Sequence, residues 1–458
     1  MKVLLVVYTL GYADNIAIAY LSSIAKQSGH EVFFHTLDNG SLVEKIKEIK
    51  PDVVGYSANI LGFDKLIEQN REARKIHNFV SIMGGPHPTF SSHTFNDSDM
   101  DAYCIGEGEY AFRDFLEKIK NKESFDDVEN LLTKNGVNHL RPLIKNLDEL
   151  PMPDRDLVIA NSFLKDTSKK TFYTSRGCPF KCSYCCNSRY NRMYSGQRII
   201  RKFSVDRVMR EIKEVACNYR TDFIKFGDDL FASKVTDWLV EFADRYRKEI
   251  NIPFNCYLRC DLIDDELLRI LKYAGCYSVS MSVDSTSEYV RENVLQRNMS
   301  KKANLINNIR RVRDFGIHTL VNYMLAVPCS SNEYDIETIE WSRKANVSYA
   351  LYTTATPMPG TVLHNYCLGN SLLDADSNLG NFVDAFDKKS MLNCFTEREK
   401  DIRYNVYLLG NLVAKLPKPL YNLGMYVIKH GTPNILYKKI RDLLHKHFIE
   451  TRIYKVKK

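Results

Sequence analysis

Long hydrophobic runs are missing from this chain. No stretch of its 458 residues approaches the roughly 18 consecutive apolar residues that a membrane-crossing helix needs. The opening run Met1-Lys-Val-Leu-Leu-Val-Val-Tyr8 is too short for a secretory signal, and no small-residue cleavage site follows it. It is expected to be a buried strand. Twelve cysteines without a targeting segment argue against a disulfide framework and for a reducing cytosol, so the expected location is cytoplasmic. Net charge is scarce in the body as well. Residues 415–458 hold eleven Lys/Arg against Asp442 and Glu450, which outweighs the +8 of the whole chain and leaves the rest near neutral. No nucleic-acid motif accompanies that basic tail.

What is present is alternation. At one domain per roughly 100–200 residues the length suggests two to four domains. Within 1–135, strand-length apolar runs at 2–9, 31–37, 52–57, 80–83 and 102–105 alternate with helical stretches at 14–28, 42–49, 63–77 and 109–119. Strands alternating with helices predict parallel βαβ units in a Rossmann-like, doubly wound sheet, which binds ligands beyond the carboxyl ends of its strands. Those ends read Thr9-Leu10-Gly11, Gly55-Tyr56-Ser57, Gly84-Gly85-Pro86-His87-Pro88 and Gly106-Glu107-Gly108-Glu109. Glycines there would let backbone approach a ligand, although each motif taken singly is an ordinary turn.

Residues 136–170, with the turn at Asn135-Gly136 and the Pro-rich 150–154, are expected to be a surface linker. From 171 to 370, six strand candidates follow: 171–175, 223–227, 254–259, 278–283, 320–327 and 349–354. Helical stretches at 205–216, 235–246, 266–274 and 302–315 separate most of them. This is half or more of a TIM-type barrel, whose chemistry sits at the carboxyl ends of its strands. Alternation along the third strand would put Asn255, Tyr257 and Arg259 on one face. For Arg259, a structural salt bridge and a ligand carboxylate are equal readings.

Behind the first barrel strand lies Gly177-Cys178-Pro-Phe-Lys-Cys182-Ser-Tyr184-Cys185-Cys186. Three cysteines at C-x3-C-x2-C spacing can wrap one soft-metal centre from a single loop. A closed zinc site needs four ligands, and the adjacent Cys186 would reach the same metal only with strain. A four-iron cluster on three thiolates keeps one iron open. Zinc or plainly buried cysteines remain the alternatives. Cys256 and Cys260, also C-x3-C, are expected in the core.

The triad with Tyr184 before its third cysteine resembles the radical S-adenosylmethionine (SAM) enzymes. The strand-end motifs of the first 120 residues, as a set, are similar to the cobalamin-binding domain that precedes many of them. The resemblance implies a [4Fe-4S] cluster on Cys178, Cys182 and Cys185, with SAM chelated at the open iron beside Tyr184. It also implies an open six-strand (β/α) barrel, with cobalamin between the two domains. Asp228 and Asp229 would meet the SAM amine and Arg259 its carboxylate, while Asp284 stands where relatives commonly carry a one-methylene-longer Glu. Thr9, Leu10, Gly11, Ser57, Gly84, Gly85, His87, Gly106 and Glu107 would lie around the corrin. Many cobalamin domains ligate cobalt through an Asp-x-His-x-x-Gly loop. Here 10–14 reads Leu-Gly-Tyr-Ala-Asp, so no histidine of that loop can be the lower ligand. His87 is read either as a loop position near the corrin or as a structural turn.

The implied activity is methyl transfer from methylcobalamin to an unactivated carbon or a phosphorus centre of a small molecule, fed by an external flavodoxin- or ferredoxin-type donor. The rivals are a cyclisation, ring contraction or rearrangement without methyl transfer, and a cobalamin sensor or carrier without turnover. No residue is assigned to the chemical step. Residues 371–458 carry no family motif. A helix over 433–448 is expected, with Leu436, Ile440, Leu443, Leu444 and Phe448 in one stripe beside Lys438, Lys439, Arg441 and Lys446. Packing on the barrel is the plainer reading of it, and peripheral contact with anionic membrane through 415–458 the sharper one.

Overall fold

The computed structural model describes residues 1–10, 15–373 and 388–455, so Gly11 of the first strand-end motif lies outside the described residues. The chain divides into two compact units. The first comprises 1–170 with 192–201 and 214–220, and the second 171–191, 202–213 and 221–458.

The first unit is built on a seven-stranded sheet: β1 (Lys2–Val7), β2 (Glu31–Thr36), β3 (Val53–Ser57), β4 (Val80–Gly84), β5 (Ala102–Cys104), β6 (Leu131–Thr133) and β7 (Gly136–Val137), in the order β2-β1-β3-β4-β5-β6-β7. Val3 to Val7 are buried, as a strand covered on both faces requires. The helix Ile16–Gln27 starts where the Asn15 side chain accepts from the Ile18 N–H, and just beyond its end Gly29 takes φ +79°. The five strands β1 to β5 are parallel, as alternation predicted, but β6 and β7 add an antiparallel hairpin at the edge. The stretch 136–170 is not a bare crossing. Ser23 Oγ donates to the Met152 carbonyl at 2.6 Å, Asp154 N–H donates to the Ala19 carbonyl at 3.0 Å, and a short helix Arg155–Ala160 follows.

The second unit carries a six-stranded sheet of β8 (Lys169–Phe172), β9 (Phe223–Phe226), β10 (Phe254–Tyr257), β11 (Cys276–Asp284), β12 (His318–Leu325) and β13 (Tyr349–Thr354), in the order β13-β12-β11-β10-β9-β8. Pairing from β9 to β13 is parallel throughout. Helices Asp237–Glu249, Asp265–Ala274, Leu305–Asp314 and Asn332–Lys344 intervene between successive strands from β9 on. Phe226, Phe231, Phe242, Tyr246 and Phe254 form one edge-to-face aromatic cluster between sheet and helix. This is the partial barrel that the strand spacing predicted.

The tail is built onto that barrel. Arg403, on the helix Glu397–Val413, pairs with buried Asp335 at 2.7 Å, and Asn411 accepts the Ala350 N–H at 3.0 Å. Ile453 is fully buried against Leu320 and Tyr349, and its carbonyl accepts from Ser278 Oγ at 2.6 Å. The expected amphipathic helix runs Ile435–Phe448, starting two residues later than its sequence signal, because the Asn434 side chain caps it. No helix among the described residues is long and apolar enough to cross a membrane.

Candidate active site

The cysteine loop leaves β8 and is stapled at its root by Asp228. That buried carboxylate, just past β9, accepts from the Thr174 N–H at 3.0 Å, from Thr174 Oγ1 at 2.9 Å and from Ser175 Oγ. Burial raises its pKa, opposed by those donors and by Lys202. Asp228 therefore holds the loop, while its neighbour Asp229 faces the cavity. Further along, the Asn191 amide donates to the Cys178 carbonyl at 2.8 Å from the helix Cys186–Met193. Ser183 is the central tie. Its N–H donates to the Leu295 carbonyl, its Oγ to that of Val294, and its own carbonyl accepts from Leu363 N–H, all within 2.9 Å. A lone serine inside a cysteine motif gives no sequence signal for such a role.

Tyr184 is fixed in the same way. Its hydroxyl donates to Asp284 Oδ2 at 2.7 Å and accepts from Arg297 Nη1 at 2.7 Å. Arg297 Nε stands 3.0 Å from Asp284 Oδ2, its Nη2 donates to the Ser282 carbonyl at 2.8 Å, and Ser282 Oγ donates to Asp284 Oδ1. All three side chains are largely withdrawn from water, and burial pushes the Tyr184 phenol well above its usual range. Asp284 takes φ +65°, in the left-handed region that Asp and Asn enter more readily than most residues. The shorter carboxylate is thus consumed inside the protein, by Tyr184 and Arg297. Arg297 was not singled out, because it sits in an irregular segment with no motif around it.

Cys178, Cys182 and Cys185 line one cavity of about 500 Å³, together with Tyr184, Asp229, Arg259, Asp284 and Arg297. Cys186 is not among its lining residues. Ser280, Asn322, Thr353 and Tyr454 line it too and contribute polar groups. Arg259 lines the cavity but already has a carboxylate: its Nε and Nη2 reach Asp261 at 3.0 and 3.1 Å, and its guanidinium lies 3.6 Å from the centre of the Phe180 ring. The alternation expected through 259 stops at Tyr257, where β10 ends, so Leu258 and Arg259 both border the cavity. Cys256 and Cys260 are fully buried outside it, as expected, with the Cys260 thiol pushed up to about 12 by burial.

In the first unit, β1 has β2 on one side and β3 on the other, so the chain reverses its winding there. Such a switch point is where doubly wound sheets bind ligands. Thr9 and Leu10 follow β1, and Ser57 ends β3, its Oγ 3.4 Å from the Asn15 amide. Gly84 and Gly85 follow on β4. A Cβ on Gly85 (φ +100°) would meet the Ala58 carbonyl oxygen at 2.7 Å, and one on Gly106 (φ +82°) would overlap the Tyr194 hydroxyl. These two glycines are thus demanded by the protein's own packing. Glu107 is engaged as well: Arg201 grips both its oxygens at 2.8 and 2.9 Å, and the Ile144 N–H donates at 3.0 Å. His87 is buried, stacked 3.8 Å on Phe63, with Nε2 3.2 Å from Thr94 Oγ1. This packing holds the turn that follows β4.

The donor set fits an iron–sulfur cluster. Three thiols border one cavity, yet no three His, Cys, Asp or Glu side chains among the described residues stand close enough to share a single metal ion. A single zinc needs that convergence, whereas a cubane takes one thiolate on each of three irons.

Two family models match the chain: the Radical SAM superfamily over residues 172–357 and the B12 binding domain over residues 2–116. An uncharacterized methyltransferase of Pyrococcus horikoshii is 28% identical over 373 residues, covering 78% of this chain and 79% of that one. The anaerobic magnesium-protoporphyrin IX monomethyl ester cyclase of Rubrivivax gelatinosus is 24% identical over 463 residues, covering 89% and 80%. The fold is that of the radical S-adenosylmethionine methyltransferase TsrM from Kitasatospora setae, solved with tryptophan and a SAM analogue. Its TM-score is 0.70 at 13% identity, with 97% of this chain and 99% of that one covered.

Proposed function

We propose that this chain, which belongs to the cobalamin-dependent radical SAM enzymes, is a methyltransferase acting on an unactivated carbon or a phosphorus centre of a small molecule. The observation that carries the reading is the cavity bordered by Cys178, Cys182 and Cys185, in a chain that also holds a B12-binding unit. The cluster would supply the electron that cleaves SAM reductively, and cobalamin would carry the methyl group. Cys178, Cys182 and Cys185 are the proposed cluster ligands. Asp229 is the proposed carboxylate for SAM, since Asp228 is spent on the loop root and Asp284 on Tyr184. Thr9, Leu10, Ser57, Gly84 and Gly85 are the proposed corrin contacts. The protein's part is to hold its substrates within reach and to keep water out. An external flavodoxin- or ferredoxin-type donor and peripheral membrane contact belong to the same reading.

The likeness to a cyclase supports a second reading, a radical cyclisation or rearrangement without methyl transfer. Product counting separates the two. Under anaerobic conditions with substrate, reductant and cobalamin, a carbon methylase gives 5′-deoxyadenosine, S-adenosylhomocysteine and methylated product in about equal amounts. Deuterium at the reacting carbon then appears in the 5′-deoxyadenosine. Product without S-adenosylhomocysteine selects the cyclase reading, and methylation without 5′-deoxyadenosine selects polar transfer. No 5′-deoxyadenosine and no product under strong reduction returns a sensor or carrier.

Cobalt is expected without a nitrogen ligand below it. The described loop after β1 contributes no histidine, and His87 is stacked under Phe63. The Co(II) paramagnetic resonance spectrum of the loaded protein should lack three-line nitrogen splitting, and His87→Phe should leave it unchanged. Splitting that disappears in His87→Phe would make His87 the ligand after all.

A further inference from the structure

The last two long helices of the chain keep large apolar side chains in water. On Lys418–His430, Leu423 and Tyr426 are 59% and 62% exposed; on Ile435–Phe448, Ile435, Leu436 and Leu443 are 68%, 59% and 72% exposed. Leu420 is exposed beside them. Single exposed leucines are ordinary, but six large apolar side chains within residues 420–443 form a concentration that calls for a partner. Leu420, Leu423 and Tyr426 recur at three-residue steps, and Leu436 and Leu443 at seven, which keeps each set on one side of its helix.

The other sides are already taken. Ile428 is fully buried, and Gly424 abuts Val413 so closely that a Cβ would overlap its side chain. Arg441 lies 4.7 Å over the Tyr407 ring, and His445 Nδ1 is 2.9 Å from the Tyr349 hydroxyl. The exposed sides are therefore not the ones that face the barrel.

Charge selects the occupant. Lys418, Lys429, Lys438, Lys439, Arg441 and Lys446 lie on these helices against Asp442 alone, which already pairs with Arg441 at 2.8 Å. All five lysines are exposed. A second copy of the chain would bring two such basic faces together, and like charges repel across an interface. A bilayer with anionic headgroups offers both an apolar depth for the leucines and negative charge for the lysines. We propose that the helices Lys418–His430 and Ile435–Phe448 seat the protein on an anionic lipid surface. Leu420, Leu423, Tyr426, Leu436 and Leu443 would enter the headgroup boundary, with the lysines on the headgroups. This goes beyond the reaction and does not depend on which product is made.

Co-sedimentation of the full, anaerobically prepared protein with vesicles tests it. The protein should pellet with phosphatidylcholine–phosphatidylglycerol vesicles and stay in the supernatant with phosphatidylcholine alone, and added salt should release it by screening. Leu436→Ser with Leu443→Ser removes exposed side chains only, so far-ultraviolet dichroism should be unchanged while binding falls at least tenfold. Lys438→Glu with Lys439→Glu and Lys446→Glu should lower the partition coefficient by roughly fivefold or more per lysine, the Boltzmann factor of the usual headgroup attraction. Equal pelleting with both vesicles, or none with either, overturns the proposal. So does a lipid-free dimer, seen by sedimentation velocity, that the Leu436/Leu443 variant dissociates, since a second copy would then cover the face.

Discussion

Alanine at Cys178, Cys182 or Cys185 is expected to abolish both cluster assembly and reductive SAM cleavage, whereas alanine at Cys186 leaves both largely intact. The asymmetry comes from placement. The first three border the cavity at the head of the barrel, and Cys186 instead opens the helix Cys186–Met193 and is absent from the lining. Each of three irons needs one thiolate, so losing any one leaves an iron unligated. Loss should therefore be nearly complete, not graded. Iron and sulfide content, the visible absorption of the reconstituted protein and 5′-deoxyadenosine formation give three separate readouts. Fold should survive, because the loop is held by Asp228, Asn191 and Ser183 and not by the thiols. A Cys186 variant without cluster beside a Cys185 variant that keeps it would reverse the ligand assignment.

Much of this architecture was legible because it rests on periodicity. Strands buried on both faces read as apolar runs, and the helices between them read as stripes, so both parallel sheets were predicted within a few residues. The antiparallel hairpin at 131–137 was not, since three- and two-residue strands leave no period to detect. The cysteine loop was legible from spacing alone. What spacing does not carry is which way a polar side chain turns once folded. Asp228 and Asp229 are adjacent in sequence, yet one staples the loop root and the other faces the cavity. Arg259 read equally as a ligand for SAM or a salt-bridge partner, and in the structure it lines the cavity while holding Asp261, two residues on. Glu107 lay in a plausible cofactor motif, but Arg201, ninety-four residues away, grips it. Glycines were the least informative, because a glycine demanded by a ligand and one demanded by Ala58 or Tyr194 look alike in one dimension.

Arg297→Met should lower the melting temperature by roughly 10 °C and strip the cluster from a fold that is otherwise intact. Arg297 and Asp284 are both buried, 3.0 Å apart, with the Tyr184 hydroxyl bonded to each. Removing the guanidinium leaves the Asp284 carboxylate buried opposite only two hydroxyl donors. Breaking a buried pair from one side costs about 3–5 kcal/mol, and each kcal/mol moves the transition of a domain this size by roughly 2–4 °C. Tyr184→Phe should cost less, on the order of 1–3 kcal/mol, because Arg297 and Asp284 still neutralise each other. Asp284→Asn combined with Arg297→Met removes both charges while keeping a residue that tolerates φ +65°, so much of the lost stability should return. Cluster content should not return with it. Tyr184 sits between Cys182 and Cys185, and without Arg297 its hydroxyl loses one of the two bonds that fix its side chain. Thermal unfolding and iron content of the three variants decide the matter. If the double variant recovers iron as fully as stability, Arg297 serves only the fold. If Arg297→Met melts like the parent protein, the buried pair is not a structural element of this site.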